Sequence, residues 1–132
     1  MIEMNVLLCA TADAPWLMKD SEQAKRLERC FEGLNYIYRE QGLVTLQDVK
    51  KADIIIGRVA PELLPTAANL KWLHVGSADV RGYEKAELYV NDFVVVTRGE
   101  AFPTPDSAME QLLDLMAQFF DGADLDAEIE LN

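Results

Sequence analysis

Five short apolar runs, separated by segments with helical spacing, are the feature that most constrains the fold of this chain. The runs cover residues 5–10, 35–39, 53–59, 71–77 and 93–97. The first run (NVLLCA) and the centre of the third (III) lack the polar alternation of a half-exposed strand. Strands that are apolar on both faces are typical of parallel sheets with helices on each side. The pattern therefore predicts an α/β fold.

The segments between these runs predict the covering helices. In residues 20–34, apolar side chains recur every three or four positions, and Asp20 or Ser21 can cap the start of the helix. Further helices are expected over residues 45–52, 61–70 and 83–90. The clearest helical period follows Thr104 and Pro105, with an apolar stripe formed by Met109, Leu112, Leu113, Met116, Phe119 and Phe120.

Alternating strands and helices with right-handed crossovers predict a doubly wound sheet. We expect a flavodoxin-like three-layer sandwich whose five-stranded parallel sheet has the order 2-1-3-4-5. Ligands are then expected beyond the carboxyl ends of the strands, where the winding direction reverses. Residues 1–120 are expected to form this domain, and residues 121–132 an acidic C-terminal tail. Because no turn signal pairs the tail with a strand, a disordered or weakly attached tail is favoured over a half-exposed strand.

Size and charge limit the choice of partners. The chain has 132 residues, half of them hydrophobic, which suffices for one compact domain. With 23 acidic and 12 basic residues, its net charge of −11 repels nucleic acid and anionic lipid, so neither is expected as a partner. No apolar run reaches the ~20 residues of a membrane helix, and Glu3 replaces a basic signal-peptide start. We expect a cytoplasmic protein in which Cys9 and Cys30 are reduced, mostly buried thiols.

Several kinds of chemistry are disfavoured by the sequence. The seven glycines, at positions 33, 42, 57, 76, 82, 99 and 122, form no GxG pair, so no dinucleotide-binding loop or Walker A loop is predicted. Too few ligands are grouped to predict a metal site. The single histidine, His74, lies within the fourth apolar run. We interpret it as a neutral core residue bonded to a backbone group; catalysis through His74 is the less favoured alternative, since Asp79 is the nearest carboxylate in sequence.

A family resemblance is carried by four segments in a fixed order. These are ADIIIGRVAPELL, KWLHVGSADVRGY, VVVTRG and PDSAMEQLLDLMAQFF, which together span residues 52–120. They resemble the N-terminal substrate-binding domain of the D-isomer-specific 2-hydroxyacid dehydrogenases. The matching positions are Leu70, Lys71, Ser77, Ala78, Val80, Tyr83, Arg98, Gly99, Glu110, Leu112 and Leu113.

The resemblance implies a flavodoxin-like domain and a site for the carboxylate of a small 2-oxo or 2-hydroxy acid. Backbone amides after the fourth strand, at Ser77, Ala78 and Asp79, would bind that carboxylate as an anion nest. Gly57 and Arg58, at the end of the third strand, would face the same cleft. Arg58 is either a charge-assisted donor to the ligand or a surface cation.

The resemblance also limits what can be carried over to this chain. Family members transfer hydride between NAD(P)H and a 2-oxo acid, but their catalytic arginine, glutamate and histidine and their glycine-rich cofactor loop follow the helix at residues 109–120, where this sequence ends. No catalytic, cofactor-binding or metal-binding residue is therefore assigned, and the chain alone is expected to be inactive. Two family positions also differ: the usual glycine is Asp79, which would have to adopt a left-handed conformation, and the usual aspartate is Arg81.

Two functions from different classes follow. The first is an isolated substrate-binding domain of an NAD(P)-dependent D-2-hydroxyacid dehydrogenase. The second is a non-enzymatic interaction or regulatory domain that keeps the fold without binding substrate. Because the family covers part of this domain with segments that this sequence lacks, we also expect exposed apolar surface and a homodimer, with the acidic tail as a cover or an exchanged strand.

Overall fold

The computed structural model describes residues 4–12, 14–40, 42–99 and 104–132. The strands are β1 (Asn5–Ala10), β2 (Asn35–Glu40), β3 (Ile54–Gly57), β4 (Trp72–His74) and β5 (Val95–Thr97). The α-helices are α1 (Glu22–Cys30), α2 (Leu46–Lys51) and α3 (Pro105–Phe120), and short 3-10 helices cover Pro15–Leu17, Pro61–Thr66 and Ala86–Leu88.

The sheet has the predicted composition and order. Its five strands are all parallel and lie in the order β2-β1-β3-β4-β5. The winding direction reverses between β1 and β3, which are adjacent in the sheet, with Cys9 beside Gly57 at their carboxyl ends. The α/β prediction and the strand order 2-1-3-4-5 are therefore confirmed.

Two apolar cores lie on opposite faces of the sheet because side chains alternate along each strand. Val6, Leu8, Ile54, Ile56 and Trp72 face one side, where they pack with the buried residues of α3. The other face presents Leu7, Cys9, Ile55, Leu73 and Val96, which pack with α2 and the segment after β3. The helix–sheet–helix layers are thus those expected from strands that are apolar on both faces.

Local signals explain where the helices begin. The Ser21 hydroxyl accepts a hydrogen bond from the Ala24 amide (3.0 Å) and caps α1. Thr45 and Asp48 form a reciprocal capping box at α2, and Thr104 caps α3, whose first residue is Pro105.

Within the described residues, no helix is long and apolar enough to cross a membrane.

Two of the expected helical segments form 3-10 helices and not α-helices. Residues 61–70 form a 3-10 helix over Pro61–Thr66, because Pro65 within the segment has no amide hydrogen for an α-helical bond. Residues 83–90 contain only the 3-10 turn Ala86–Leu88. Both segments still cover the sheet, since Leu64 and Tyr89 are buried.

The acidic tail is attached to the domain, so the favoured prediction of a disordered or weakly attached tail is wrong. Glu128 forms an antiparallel bridge with Thr97 of β5. The Ile129 amide donates to the Val96 carbonyl (2.8 Å), and the Arg98 amide donates to the Ala127 carbonyl (3.1 Å). Leu125 is buried in the core beside α3. The tail therefore covers the outer edge of β5, which would otherwise present unpaired backbone groups.

The prediction for the cysteines is half right. Both thiols are free, and Cys9 is buried in β1, where desolvation raises its pKa to about 12. Cys30 is exposed, because it ends α1 on the side that faces solvent.

Candidate functional site

A cavity of about 340 Å³ lies at the carboxyl ends of β1, β3 and β4, where the winding direction reverses. This is the position at which open α/β sheets bind ligands. Four of the five predicted binding residues line it: Gly57, Arg58, Ser77 and Asp79. The fifth, Ala78, is an exposed residue of the same loop that does not line the cavity.

Gly57 allows β3 to end against β1. Its φ is +113°, and a Cβ atom at this position would lie 2.3 Å from the carbonyl oxygen of Cys9. Only glycine accepts both this backbone conformation and this distance. The turn that follows directs Arg58 toward the loop after β4.

The loop after β4 lines the cavity with Gly76, Ser77 and Asp79. Gly76 turns the chain with φ +79°, and the Gly99 amide holds the loop by donating to the Ser77 carbonyl (3.0 Å). Gly99 itself lies so close that a Cβ atom there would be 2.8 Å from the Gly76 carbonyl carbon. Among the described residues, the amides of Ser77, Ala78 and Asp79 donate no hydrogen bond. Ser77 and Asp79 line the cavity, so their amides are candidate donors to an anion there, whereas Ala78 lies outside the lining.

Arg58 connects this loop to the core. Its Nη1 donates to the Ser77 hydroxyl (2.9 Å) and to the Asp79 carbonyl (2.6 Å). The guanidinium carbon lies 5.2 Å from the ring centroid of Tyr83, a cation–π distance. Among the described residues, Nε and Nη2 have no hydrogen-bond partner and no carboxylate pairs with Arg58. Arg58 is therefore a positioned cation rather than a freely moving surface residue.

Tyr83 is a support that the sequence did not single out for the site. It is 2% exposed, its hydroxyl donates to the Val59 carbonyl, and its own carbonyl accepts from Tyr89 (2.6 Å). These bonds fix the ring beneath Arg58. Thr11, Ala14 and Leu17, which follow β1, also line the cavity and were missed. The rule that ligands bind at the carboxyl edge could have identified them, because they come directly after the first strand.

Asp79 does not have the expected left-handed conformation, and its carboxylate pairs with Arg81. All described residues with positive φ are glycines, so Asp79 does not adopt a left-handed conformation. Its carboxylate accepts bonds from the Arg81 amide (3.1 Å), Nε (3.0 Å) and Nη2 (2.8 Å). Hydrogen bonds from Arg81, followed by the charges of Arg81 and Arg58, hold the pKa of Asp79 well below its usual range. The carboxylate at the rim of the cavity is thus ionised and paired.

His74 is a core residue, as expected, but its partner is a side chain instead of the backbone. Its Nδ1 lies 2.8 Å from the Thr97 hydroxyl, which also accepts a bond from the indole nitrogen of Trp72 (2.8 Å). His74 is 1% exposed, and burial lowers its pKa to about 4. It is neutral at pH 7 and does not line the candidate cavity.

The buried imidazole predicts a pH-dependent stability. Its pKa is near 6.5 when unfolded and about 4 when folded, so protons bind preferentially to the unfolded chain as the pH falls through this window. The free energy of unfolding should therefore fall by about 2 kcal/mol between pH 7 and pH 5 from this group alone. Urea unfolding of the wild type and of His74→Gln at both pH values measures it. Equal pH dependence in the two proteins would contradict the assignment.

A dinucleotide cofactor does not fit the turn after β1. The sequence of residues 11–15 contains no glycine, and the helix that follows β1 is the three-residue 3-10 helix Pro15–Leu17. A pyrophosphate site needs glycines for close backbone approach and the N-terminus of a longer helix. Within the described ranges, no group of three or more His, Cys, Asp or Glu side chains could hold a metal ion.

A wider groove of about 990 Å³ lies between α3 and the tail, but it suits an anionic ligand poorly. Arg98 is its one basic lining residue among the described ones. The lining carboxylates are those of Glu84, Glu110, Asp114, Asp126, Glu128 and Glu130. A carboxylate ligand is therefore better matched to the smaller cavity beside Arg58.

Comparisons with known proteins support the fold. No protein-family model and no curated protein sequence matches the chain. Among solved structures, it is similar to a D-isomer specific 2-hydroxyacid dehydrogenase family protein from Aeromonas salmonicida subsp. salmonicida A449, with a TM-score of 0.56 and 17% identity over 92% of this chain and 41% of that one. It is also similar to phosphoglycerate dehydrogenase from Lactobacillus plantarum, with a TM-score of 0.50 and 22% identity over 89% of this chain and 36% of that one.

The chain spans about two-fifths of the length of these structures. At these identities the likeness concerns the fold, and it agrees with the resemblance carried by residues 52–120 of the sequence. The chain therefore has the fold of one part of a D-isomer-specific 2-hydroxyacid dehydrogenase.

Proposed function

We propose that this chain is the substrate-binding domain of an NAD(P)-dependent D-2-hydroxyacid dehydrogenase and that its cavity binds the carboxylate of a small 2-oxo or 2-hydroxy acid. The proposal rests on one observation: the Arg58 guanidinium, held in place by hydrogen bonds, lies beside backbone amides that donate no hydrogen bond among the described residues. Arg58, with Nε and Nη2 unbonded among the described residues, adjoins the loop of residues 77–79, whose amides also donate no hydrogen bond within the described part of the chain.

A carboxylate suits these groups because its two oxygens accept several hydrogen bonds at once. Guanidinium groups bind carboxylates through two parallel bonds, and such charge-assisted bonds are about twice as strong as neutral ones. A volume of about 340 Å³ lies at the lower end of the range for small-molecule sites. A short acid such as pyruvate fits within this volume and is a suitable probe of the site.

The proposal leaves the redox chemistry outside this domain. The turn after β1 does not fit a dinucleotide, and His74 is buried away from the cavity. NAD or NADP would be held by another part of the parent enzyme, and this chain alone would bind the acid without turning it over. We also propose that the protein is cytoplasmic and forms a homodimer.

Titration with pyruvate, followed by amide chemical shifts, tests the proposal directly. We expect saturable shifts centred on residues 76–79 and on Arg58. Arg58→Gln should weaken binding about 10- to 100-fold, because a hydrogen bond to a charged group contributes about 1.5–3 kcal/mol. Arg29→Gln is the matched control, since Arg29 is exposed on α1 and its loss changes the net charge equally. Equal affinity in the two variants would contradict a role for Arg58.

The alternative is a non-enzymatic interaction or regulatory domain that keeps this fold. The Asp79 carboxylate at the cavity rim is the observation that favours it, because an anionic ligand must approach that charge. Absence of any shift with millimolar pyruvate, together with recovery of a specific protein partner, would support this alternative instead.

A further inference from the structure

We propose that Arg81 determines specificity at this site: by pairing with the Asp79 carboxylate, it allows the cavity to accept an anion in place of a neutral molecule. This inference rests on the proposed function, because it concerns the same cavity. It assigns a role to the two positions at which the sequence departs from the family pattern.

The geometry places a fixed negative charge beside the proposed ligand site. Asp79 lines the cavity, and its amide, like those of Ser77 and Ala78, donates no hydrogen bond to any described residue. Its carbonyl oxygen is already bonded to Arg58 (2.6 Å), which fixes the backbone at this residue. The Arg81 backbone amide also donates to the Asp79 carboxylate (3.1 Å), and this bond holds the side chain at the rim independently of the Arg81 side chain. An unpaired carboxylate here would repel a carboxylate ligand at the neighbouring amides.

Arg81 neutralises this charge through bonds of defined geometry. Nε and Nη2 each donate to one carboxylate oxygen (3.0 and 2.8 Å), in the two-pronged manner that guanidinium groups favour. The Arg81 amide adds a third bond (3.1 Å) that shapes the turn. The Arg58 guanidinium does not pair with this carboxylate, and its Nε and Nη2 have no hydrogen-bond partner in the part of the chain that the structure describes. Arg81 thus pairs with Asp79, and Arg58 can bind the ligand.

Arg81 can be tested separately from folding. Its side chain is 87% exposed, and among the described residues its side-chain partner is Asp79 alone. Its removal leaves the cores unchanged, so the expected effect is electrostatic. In the well-solvated rim that effect is modest, about fivefold in affinity.

The experiment is a charge cycle measured with pyruvate and with its neutral ester, methyl pyruvate. Arg81→Ala should weaken pyruvate binding about fivefold relative to Arg29→Ala, which makes the same change in net charge at a distant exposed site. The double variant Asp79→Asn/Arg81→Ala should restore pyruvate binding to within about twofold of wild type. Methyl pyruvate should bind all variants equally, and thermal unfolding should confirm that each is folded.

Each result decides between distinct conclusions. Weakened pyruvate binding in Arg81→Ala that the double variant reverses supports charge masking. Equal affinities of Arg81→Ala and Arg29→Ala would overturn it. A loss that the double variant does not reverse, or that extends to methyl pyruvate, would show that Arg81 shapes the loop and would also overturn it. If wild type does not respond to pyruvate at all, the proposed function fails first and this inference falls with it.

Discussion

Replacing Gly57 with alanine is expected to lower the free energy of unfolding by at least about 4 kcal/mol, a large share of the ~5–15 kcal/mol available to a domain of this size. The added Cβ would lie 2.3 Å from the Cys9 carbonyl oxygen, which is backbone of the neighbouring strand and cannot rotate away. The φ of +113° is strained for any side chain as well. Relief requires β1 and β3 to separate at the edge that forms the cavity.

Gly33→Ala is the matched control, because it places a side chain on a positive-φ backbone without causing a steric clash. Gly33 also has a positive φ (+88°), but a Cβ atom there would meet nothing within 4 Å. Its replacement should cost about 1 kcal/mol. Urea unfolding of the two variants gives the comparison. Similar losses in both would show that the close approach of β1 and β3 is not what requires glycine at position 57.

Deletion of residues 124–132 is expected to destabilise the domain by about 3 kcal/mol and to promote self-association. Burial of Leu125 contributes about 1.5–3 kcal/mol, and the bonds of Ala127 and Ile129 to β5 add to it, partly offset by the chain entropy regained. Loss of the tail leaves the outer edge of β5 unpaired, which favours pairing with a second molecule. Sedimentation velocity and urea unfolding measure the two effects.

Leu125→Ala in the full chain distinguishes these effects. It removes the apolar contact but leaves the tail bonded to β5, so we expect a loss of about 2–3 kcal/mol with no added association. If the deleted chain sediments as the full chain does and unfolds at the same urea concentration, the tail does not protect this edge.

Much of the fold could be predicted because the apolar runs carry the information locally. The run at residues 5–10 coincides with β1, and its lack of alternation alone indicates burial on both faces. The strand order followed from chirality and connection rules. By contrast, the attachment of the tail depends on Val96 and Ile129, which are far apart in the sequence. No turn signal between them predicts that they pair.

The family resemblance supplies the expected site residues, and the predicted strands indicate the edge of the sheet at which they should meet. Gly57, Arg58 and Ser77 come at the ends of recognisable strands, and strand ends meet at one edge of a parallel sheet. The support from Tyr83 could not be predicted, because it depends on a ring packed under Arg58 from a later turn. The role of Gly99 was likewise hidden, since its contact with Gly76 joins two loops that are 23 positions apart in the sequence.

The Thr97 hydroxyl has a consequence for how β4 and β5 align. Each strand has only three residues, so few backbone hydrogen bonds fix how the two strands align. The Thr97 hydroxyl forms hydrogen bonds with both the indole of Trp72 and the imidazole of His74. A shift by one residue would leave these two buried nitrogens without hydrogen-bond partners. The Thr97 hydroxyl therefore favours the observed alignment of β4 and β5 over a shifted one. The residues that follow the two strands are thereby kept opposite each other.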